Sequence, residues 1–315
     1  MQYRELGATG LSVSVLGYGA SPLGGVFGAV EEAEGIACVH AALDCGINLI
    51  DVSPFYGETA AETLLGKALR GIDRDRYYLP TKVGRYGAQS FDFSPERVTA
   101  SIDESLARLG VEHVDLLLCH DIEYGSLDQI VDETLPALRR VVAAGKARFV
   151  GITGLPLAIF PRILDRADAE VILSYCHYTL TDTSLDTLLP YLRAREIGVI
   201  NASPLGMGLP GAGPLPDWHP APAALRAAVT QARALCREWG VELADTAIGW
   251  SVARPDIATT LVGSASAAQI RRCVRAAEIA PDPALLQELR VIFRGVRDLS
   301  WPSGRPENDP EHHRL

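Results

Sequence analysis

The sequence predicts a (β/α)8 barrel in a single domain over residues 1–315, and three observations predict it. Eight short apolar runs alternate with helix-length segments, the pattern of a parallel sheet wrapped in helices. No linker, repeat or shift in composition divides the chain. The fingerprints of the competing doubly wound nucleotide fold are broken. Gly17-Tyr18-Gly19 continues as Ala20-Ser21-Pro22, with proline where the third glycine belongs, and Gly24-Gly25 lacks the Lys-Ser/Thr of a phosphate loop.

Residues 2–15 read as a short hairpin, because Val13 and Val15 alternate with Ser12 and Ser14 beyond the turn Leu6-Gly7-Ala8-Thr9-Gly10. Leu16–Ala20 is the first barrel strand, entering a glycine-rich loop. Glu31–Cys45 is a helix with acidic residues in its first turn and Ile36, Val39, Ala42 and Leu43 on one face. Leu49–Asp51 is strand two, followed by a helix over about 59–69. Tyr78–Thr81 is strand three. Ser94-Pro95-Glu96 opens the next helix with a capping serine, a proline at the first helical position and an early glutamate. Its Val98, Ile102, Leu106 and Leu109 form an apolar stripe.

Val114–Cys119 is strand four and Leu127–Ala144 its helix, closed by Gly145. Phe149–Thr153, Val171–Ser174 and Gly198–Ala202 are strands five to seven, with helices over 156–167 and 185–195 between them. A Pro/Gly-rich loop runs from Ser203 to Pro222. Helices over about 223–239 and 243–252 precede strand eight at Thr260–Val262, and a helix over 267–280 follows it. Asp282-Pro283 opens a last helix, and the polar tail from about 301 reads as disordered.

With 48% hydrophobic residues the chain can bury a large core, and a net charge of −10 with pI 5.2 argues against nucleic acid and anionic membranes as partners. The six cysteines form no C-x-x-C pair and read as reduced core residues. No apolar leader and no run of membrane-spanning length stand out, so the expectation is a cytoplasmic protein, monomeric or weakly homo-oligomeric.

Three strands end on chemistry. Asp51 closes strand two, Lys82 follows strand three and His120 follows strand four, while Pro54 and Gly57 hold Tyr56 in a loop beside them. In a barrel these C-terminal strand ends face one pocket. Tyrosine has an unperturbed pKa of about 10, and a neighbouring ammonium lowers it. Lys82 in turn needs a carboxylate, which Asp51 supplies, and His120 is placed to orient a substrate oxygen. Each residue also has a plain reading alone: a turn cap, a loop aromatic, a surface lysine, a satisfied polar end. A metal set of His120, Asp121 and Glu123 is disfavoured because no second histidine converges on it.

With these four residues the sequence resembles the aldo-keto reductases, whose Asp, Tyr, Lys and His tetrad Asp51, Tyr56, Lys82 and His120 match. Gly145–Thr153 and Gly198–Leu205 are also family-like. The resemblance implies a barrel with the hairpin across its base and a nicotinamide cofactor. By position, Gly19, Ala20 and Ser21 follow strand one, while Thr153 and Ser174 hold the carboxamide. His177 stands where an aromatic stacks on the ring. Ser203, Leu205, Met207 and Gly208 meet the pyrophosphate, and Gly263, Ser264, Ser266 and Gln269 surround the adenosine. NADP-using members place Lys or Arg where Gly263 and Gln269 stand, which points to NAD. Arg272, in place of the family's glutamate, reaches a phosphate on the reading that keeps NADP open.

The stretches Cys119–Val131, Gly151–Leu157 and Ile172–Tyr178 are similar to the branch of that family acting on L-galactose or L-fucose. That similarity implies oxidation of an aldose at C1 to a lactone, with Tyr56 as general base and a small sugar as the partner. Phe55, Tyr86, Asp121, Tyr124 and Trp218 are candidates to line the sugar site with Tyr56 and His120. The alternatives are an NADPH-dependent aldehyde or ketone reductase and a nicotinamide-binding regulatory subunit.

Overall fold

A computed structural model describes residues 1–210 and 219–309. It opens with an antiparallel hairpin, β1 (Tyr3–Glu5) and β2 (Ser12–Ser14), in which Tyr3 pairs with Ser14. The barrel strands follow: β3 (Leu16–Gly19), β4 (Ile50–Asp51), β5 (Pro80–Val83), β6 (Val114–Cys119), β7 (Ala147–Gly154), β8 (Val171–Tyr175), β9 (Gly198–Ala202) and β10 (Thr259–Gly263). They form one parallel eight-stranded sheet in the order β4-β3-β10-β9-β8-β7-β6-β5. A parallel bridge between Leu49 and Tyr78, with Ile50 N–H donating to Tyr78 O at 2.9 Å and Val52 N–H to Pro80 O at 3.2 Å, joins the two end strands and closes the barrel.

The two-residue alternation of a strand sorts the apolar residues. Leu49, Leu116, Leu118, Val171, Leu173, Ile200 and Leu261 form an inner cluster together with the hairpin residues Leu6, Leu11 and Val13. The hairpin therefore plugs one end of the barrel. Ile50, Leu117, Ile172 and Val199 face the other way and join the larger cluster under the helices. Continuing the inward parity to the far end puts Asp51, Lys82 and His120 at the open mouth. Buried apolar side chains below them contribute about 1.5–3 kcal/mol each to the barrel's stability.

The outer layer comprises α1 (Glu32–Asp44), α2 (Ala60–Ala68), α3 (Pro95–Leu109), α4 (Leu127–Gln129), α5 (Leu135–Ala143), α6 (Ile159–Leu164), α7 (Leu189–Ala194), α8 (Ala223–Glu238), α9 (Leu243–Val252), α10 (Ala267–Ala277) and α11 (Pro283–Phe293). α3 shows why its sequence starts and stops a helix. Ser94 Oγ accepts from Arg97 N at 3.4 Å, Pro95 sits at the first position, and Gly110 ends it at φ 69°. Its buried face is Val98, Ile102 and Leu109.

Several expectations change. The helix expected over 127–144 runs from Leu127 to Ala143 but winds as a π-helix at Ile130–Thr134, where Thr134 Oγ1 donates to Phe93 O at 2.7 Å. Pro161 and Pro190 lie in the helices expected over 156–167 and 185–195, which shorten to α6 and α7. The tail expected to be disordered is docked over residues 303–309. Ser303 Oγ donates to Glu123 Oε1 at 2.9 Å, and Asn308 Nδ2 donates to Glu123 O at 2.9 Å and Gly125 O at 3.0 Å. Among the described residues no helix is long and apolar enough to cross a membrane, and no group of side chains is arranged to hold a metal ion. All six cysteines are unbridged.

Candidate active site

At the barrel mouth Asp51 and Lys82 meet across neighbouring strand ends. Lys82 Nζ donates to Asp51 Oδ1 at 2.5 Å and to Val52 O at 3.0 Å, and both side chains are almost wholly buried, at 1% and 3% exposure. Burial disfavours the Lys82 ammonium, but Asp51 and Tyr56 more than offset it and hold its pKa above the usual lysine value. The ammonium lies 4.9 Å from the Tyr56 ring centroid.

Tyr56 is held by backbone geometry. Its N–H donates to Ser53 O at 3.1 Å and its carbonyl accepts from Ala61 N at 3.2 Å. The loops after β3 and β4 touch at Gly24 and Gly57. Gly57 has φ +61°, and a Cβ there would stand 2.1 Å from Gly24 O, so only glycine admits this approach. Burial pushes the Tyr56 phenol up to about 12, Lys82 works against that rise, and Asp51 and Asp121 add to it. Lys82 is thus the counterweight to burial, and the net lowering expected from sequence gives way because burial of the phenol outweighs it.

His120 stands across from the phenol, its ring edge-on to Tyr56 at 5.8 Å and 88° and to Phe55 at 5.8 Å and 68°. Its Nδ1 is 3.1 Å from Ser53 Oγ, which also accepts from Phe55 N at 3.1 Å. Burial first, helped by Lys82 and Arg85 and opposed by Asp121, pushes the imidazole down to about 3, so the ring is neutral at ordinary pH.

Beside His120, Asp121 adopts φ +50°, and its Oδ2 accepts from Arg85 Nη1. Thr153 Oγ1 accepts from Asp121 N at 2.9 Å and donates to Oδ1 at 3.3 Å. The Arg85 guanidinium carbon sits 3.8 Å from the Phe55 centroid and 5.4 Å from that of Tyr124, which stacks on Phe91 at 4.3 Å.

Phe55, Asp121 and Tyr124 therefore gather around Arg85, with Phe55 and Asp121 also beside His120, whereas Tyr86 does not join them. Its hydroxyl accepts from Gly84 N at 3.1 Å, contacts Ser101 of α3, and its ring lies under Arg97. Gly84, at φ +99°, turns the chain so that Arg85 takes the inward place. Trp218 lies outside the described residues.

A groove of about 500 Å³ runs from Asp51 and Tyr56 across the ends of β3, β9 and β10. Gly19 and Ser21 line it near the tetrad, Ser203, Leu205, Met207 and Gly208 line one wall, and Gly263, Ser264, Ser266 and Gln269 line the other. The nicotinamide dinucleotide that the resemblance implies fits it on two observations. Ser203 and Met207, both at positive φ, line its wall, a backbone of the kind that presents N–H groups to an anion. Ser174 Oγ, at the end of β8, is buried without a hydrogen-bond partner, a polar group left over for a ligand, though Ser174 does not itself line the groove. Ala20, between Gly19 and Ser21, does not line this groove, and neither does Thr153.

Two cofactor candidates stand elsewhere. His177 is buried, with Nδ1 3.1 Å from Asp182 Oδ2 and 2.9 Å from Ser184 Oγ, and it is not part of the groove wall; Ala202 is. Arg272 is on the outer face of α10 in a bidentate pair with Asp245 at 2.9 Å, and does not enter the groove. Sequence reasoning missed Ser53 and Arg85 in the site and Glu34 in the groove. For Ser53 a signal was there in Asp51-Val52-Ser53, two residues beyond a recognised group.

Comparison with known proteins agrees with this geometry. Residues 15–290 match the Aldo/keto reductase family. The chain is 48% identical to the L-galactose dehydrogenase of Arabidopsis thaliana, covering 98% of this chain and 99% of that one. It is 29% identical to the D-threo-aldose 1-dehydrogenase of Pseudomonas sp, over 90% of this chain and 94% of that one. Among solved structures, an aldo-keto reductase from Bacillus halodurans in its holo form superposes with a TM-score of 0.79 at 26% identity, over 97% and 99% of the two chains.

Proposed function

This chain belongs to the Aldo/keto reductase family, and from that premise we propose that it oxidises an aldose of the L-galactose or L-fucose type at C1 to the lactone. One observation carries the reading: a buried Asp51–Lys82 pair backs Tyr56 at the mouth of the barrel, with neutral His120 facing the same space. The identity to an L-galactose dehydrogenase over nearly the whole chain supports the sugar class.

In this mechanism the cyclic sugar lies against Tyr56 and His120. Tyr56 takes the proton of the anomeric hydroxyl, and Lys82 stabilises the phenolate that must exist to accept it. His120 donates to the reacting oxygen and fixes its direction. Asp51 keeps Lys82 charged. A bound oxidised nicotinamide would supply the acceptor for the C1 hydride. C1 then carries a carbonyl within the ring, which is the lactone.

Two features support NAD over NADP. A 2′-phosphate calls for charge-assisted donors, and none of the described residues lining the groove is Lys or Arg. Glu34, exposed on α1, lines the groove near Ser264 and Gln269. Cys38, one turn further along α1, has Sγ 3.4 Å from Ser264 O, so Glu34 and that turn share a side of the groove. A carboxylate there suits a ribose hydroxyl and repels a phosphate.

Steady-state kinetics with L-galactose, L-fucose and D-arabinose, each against NAD and NADP, tests the proposal. Strong nicotinamide reduction with NAD and one of the sugars is expected. Silence with all three, together with NADPH oxidation by simple aldehydes, overturns it in favour of a reductase.

A further inference from the structure

We propose that Arg85 is a positioning residue: by holding Asp121 Oδ2 it keeps that carboxylate from claiming the Nε2–H of His120, and so leaves this donor for the reacting oxygen. The inference rests on the aldose-oxidising reading for the identity of that oxygen.

Ser53 Oγ accepts from Phe55 N at 3.1 Å and lies 3.1 Å from His120 Nδ1, and the proposal takes the tautomer in which its proton goes to that nitrogen. A neutral imidazole that accepts at Nδ1 carries its hydrogen on Nε2. That nitrogen is 3.7 Å from Asp121 Oδ2, too long for a hydrogen bond and near enough for a carboxylate to compete for the proton. The same Oδ2 receives Arg85 Nη1, and Oδ1 receives Thr153 Oγ1 at 3.3 Å. Both oxygens of Asp121 are thereby occupied by donors other than His120.

Arg85 is itself fixed. Its guanidinium packs on Phe55 at 3.8 Å and lies 5.3 Å from the Phe91 centroid, and its Nε is buried without a partner. Leaving a buried donor unmet costs free energy, which a side chain kept only for packing would avoid. The charged and titratable groups around His120 are Asp51 and Tyr56 from the second strand and its loop, Lys82 and Arg85 from the third, Asp121 and Glu123 beyond the fourth, and Tyr175 from the sixth. Among these, the Arg85–Asp121 pair is the one whose cation and anion act on the imidazole in opposite directions.

The test uses the NAD-loaded protein with histidine labelled at the ring carbon, the His120 signal being assigned by its loss in H120N. In the wild type that signal stays in the neutral form down to about pH 5. In R85M, Asp121 is released and its midpoint rises by about 2 pH units. The rate profile of kcat/KM on the aldose gains an acid limb at the same pH. In R85M/D121N, which lacks the same packing and also the carboxylate, both changes disappear. R85Q replaces R85M if the latter does not fold, with the same expectations.

An R85M signal that does not move, or an acid limb that survives in R85M/D121N, overturns the proposal. If the signal moves as expected while no aldose is oxidised, the pairing stands and the proposed function falls.

Discussion

Lys82 Nζ and Asp51 Oδ1 are 2.5 Å apart, with both side chains buried. A buried ion pair is fragile to the loss of one partner, because the other is left charged and unsolvated. K82M is therefore expected to cost about 3–5 kcal/mol of stability and most of the turnover. D51N/K82M is expected to recover much of the stability and none of the activity. Urea unfolding of the two variants beside their kcat values checks this; equal stability of K82M and wild type contradicts it.

Glu34 gives the cofactor reading its own check. E34K places a cation near Ser264 and Gln269 on the groove wall. Binding titrations of NADH and NADPH are expected to show NADPH gaining about tenfold relative to NADH in E34K, the size of one charge-assisted contact. An unchanged ratio removes Glu34 from the argument.

Glu123 makes stability depend on pH. Burial first, and then Asp121, pushes its carboxyl up to about 8. In the unfolded chain the value is about 4.3, so the folded state holds the extra proton between these limits. The stability it contributes is full below about pH 4.3 and is lost as pH rises through about 8. E123Q keeps the group neutral and retains an amide for Ser303. The melting temperature of the wild type is expected to fall relative to that of E123Q between pH 6 and about 9; parallel curves across that range contradict the assignment. Hydrogen exchange at residues 303–309 is expected to quicken over the same interval, since that segment rests on Glu123.

The barrel and its tetrad were legible because both depend on local pattern. Apolar runs such as Val114–Cys119 announce strands, and Asp51, Lys82 and His120 mark their ends. Arg85 was not legible, because the choice between it and Tyr86 depends on the left-handed turn at Gly84. Nor was the docking of the tail, where polar Ser303 and Asn308 bind partners about 180 residues away through hydrogen bonds that leave no hydrophobic signature. His177 looked like a ring-stacking group by position, but Asp182 and Ser184 hold it in the interior. The π-helix at Ile130–Thr134 follows from a tertiary bond to Phe93 O, which no periodicity reports.

The central claim is that Tyr56 moves the proton. It is tested most directly by comparing Y56F with the wild type under saturating NAD and L-galactose, alongside the dissociation constant for NADH. The account predicts that kcat falls by at least about a hundredfold, within the usual range for loss of a general base, while NADH binding stays within about twofold. Turnover of Y56F near the wild-type rate, with the cofactor still bound, contradicts it.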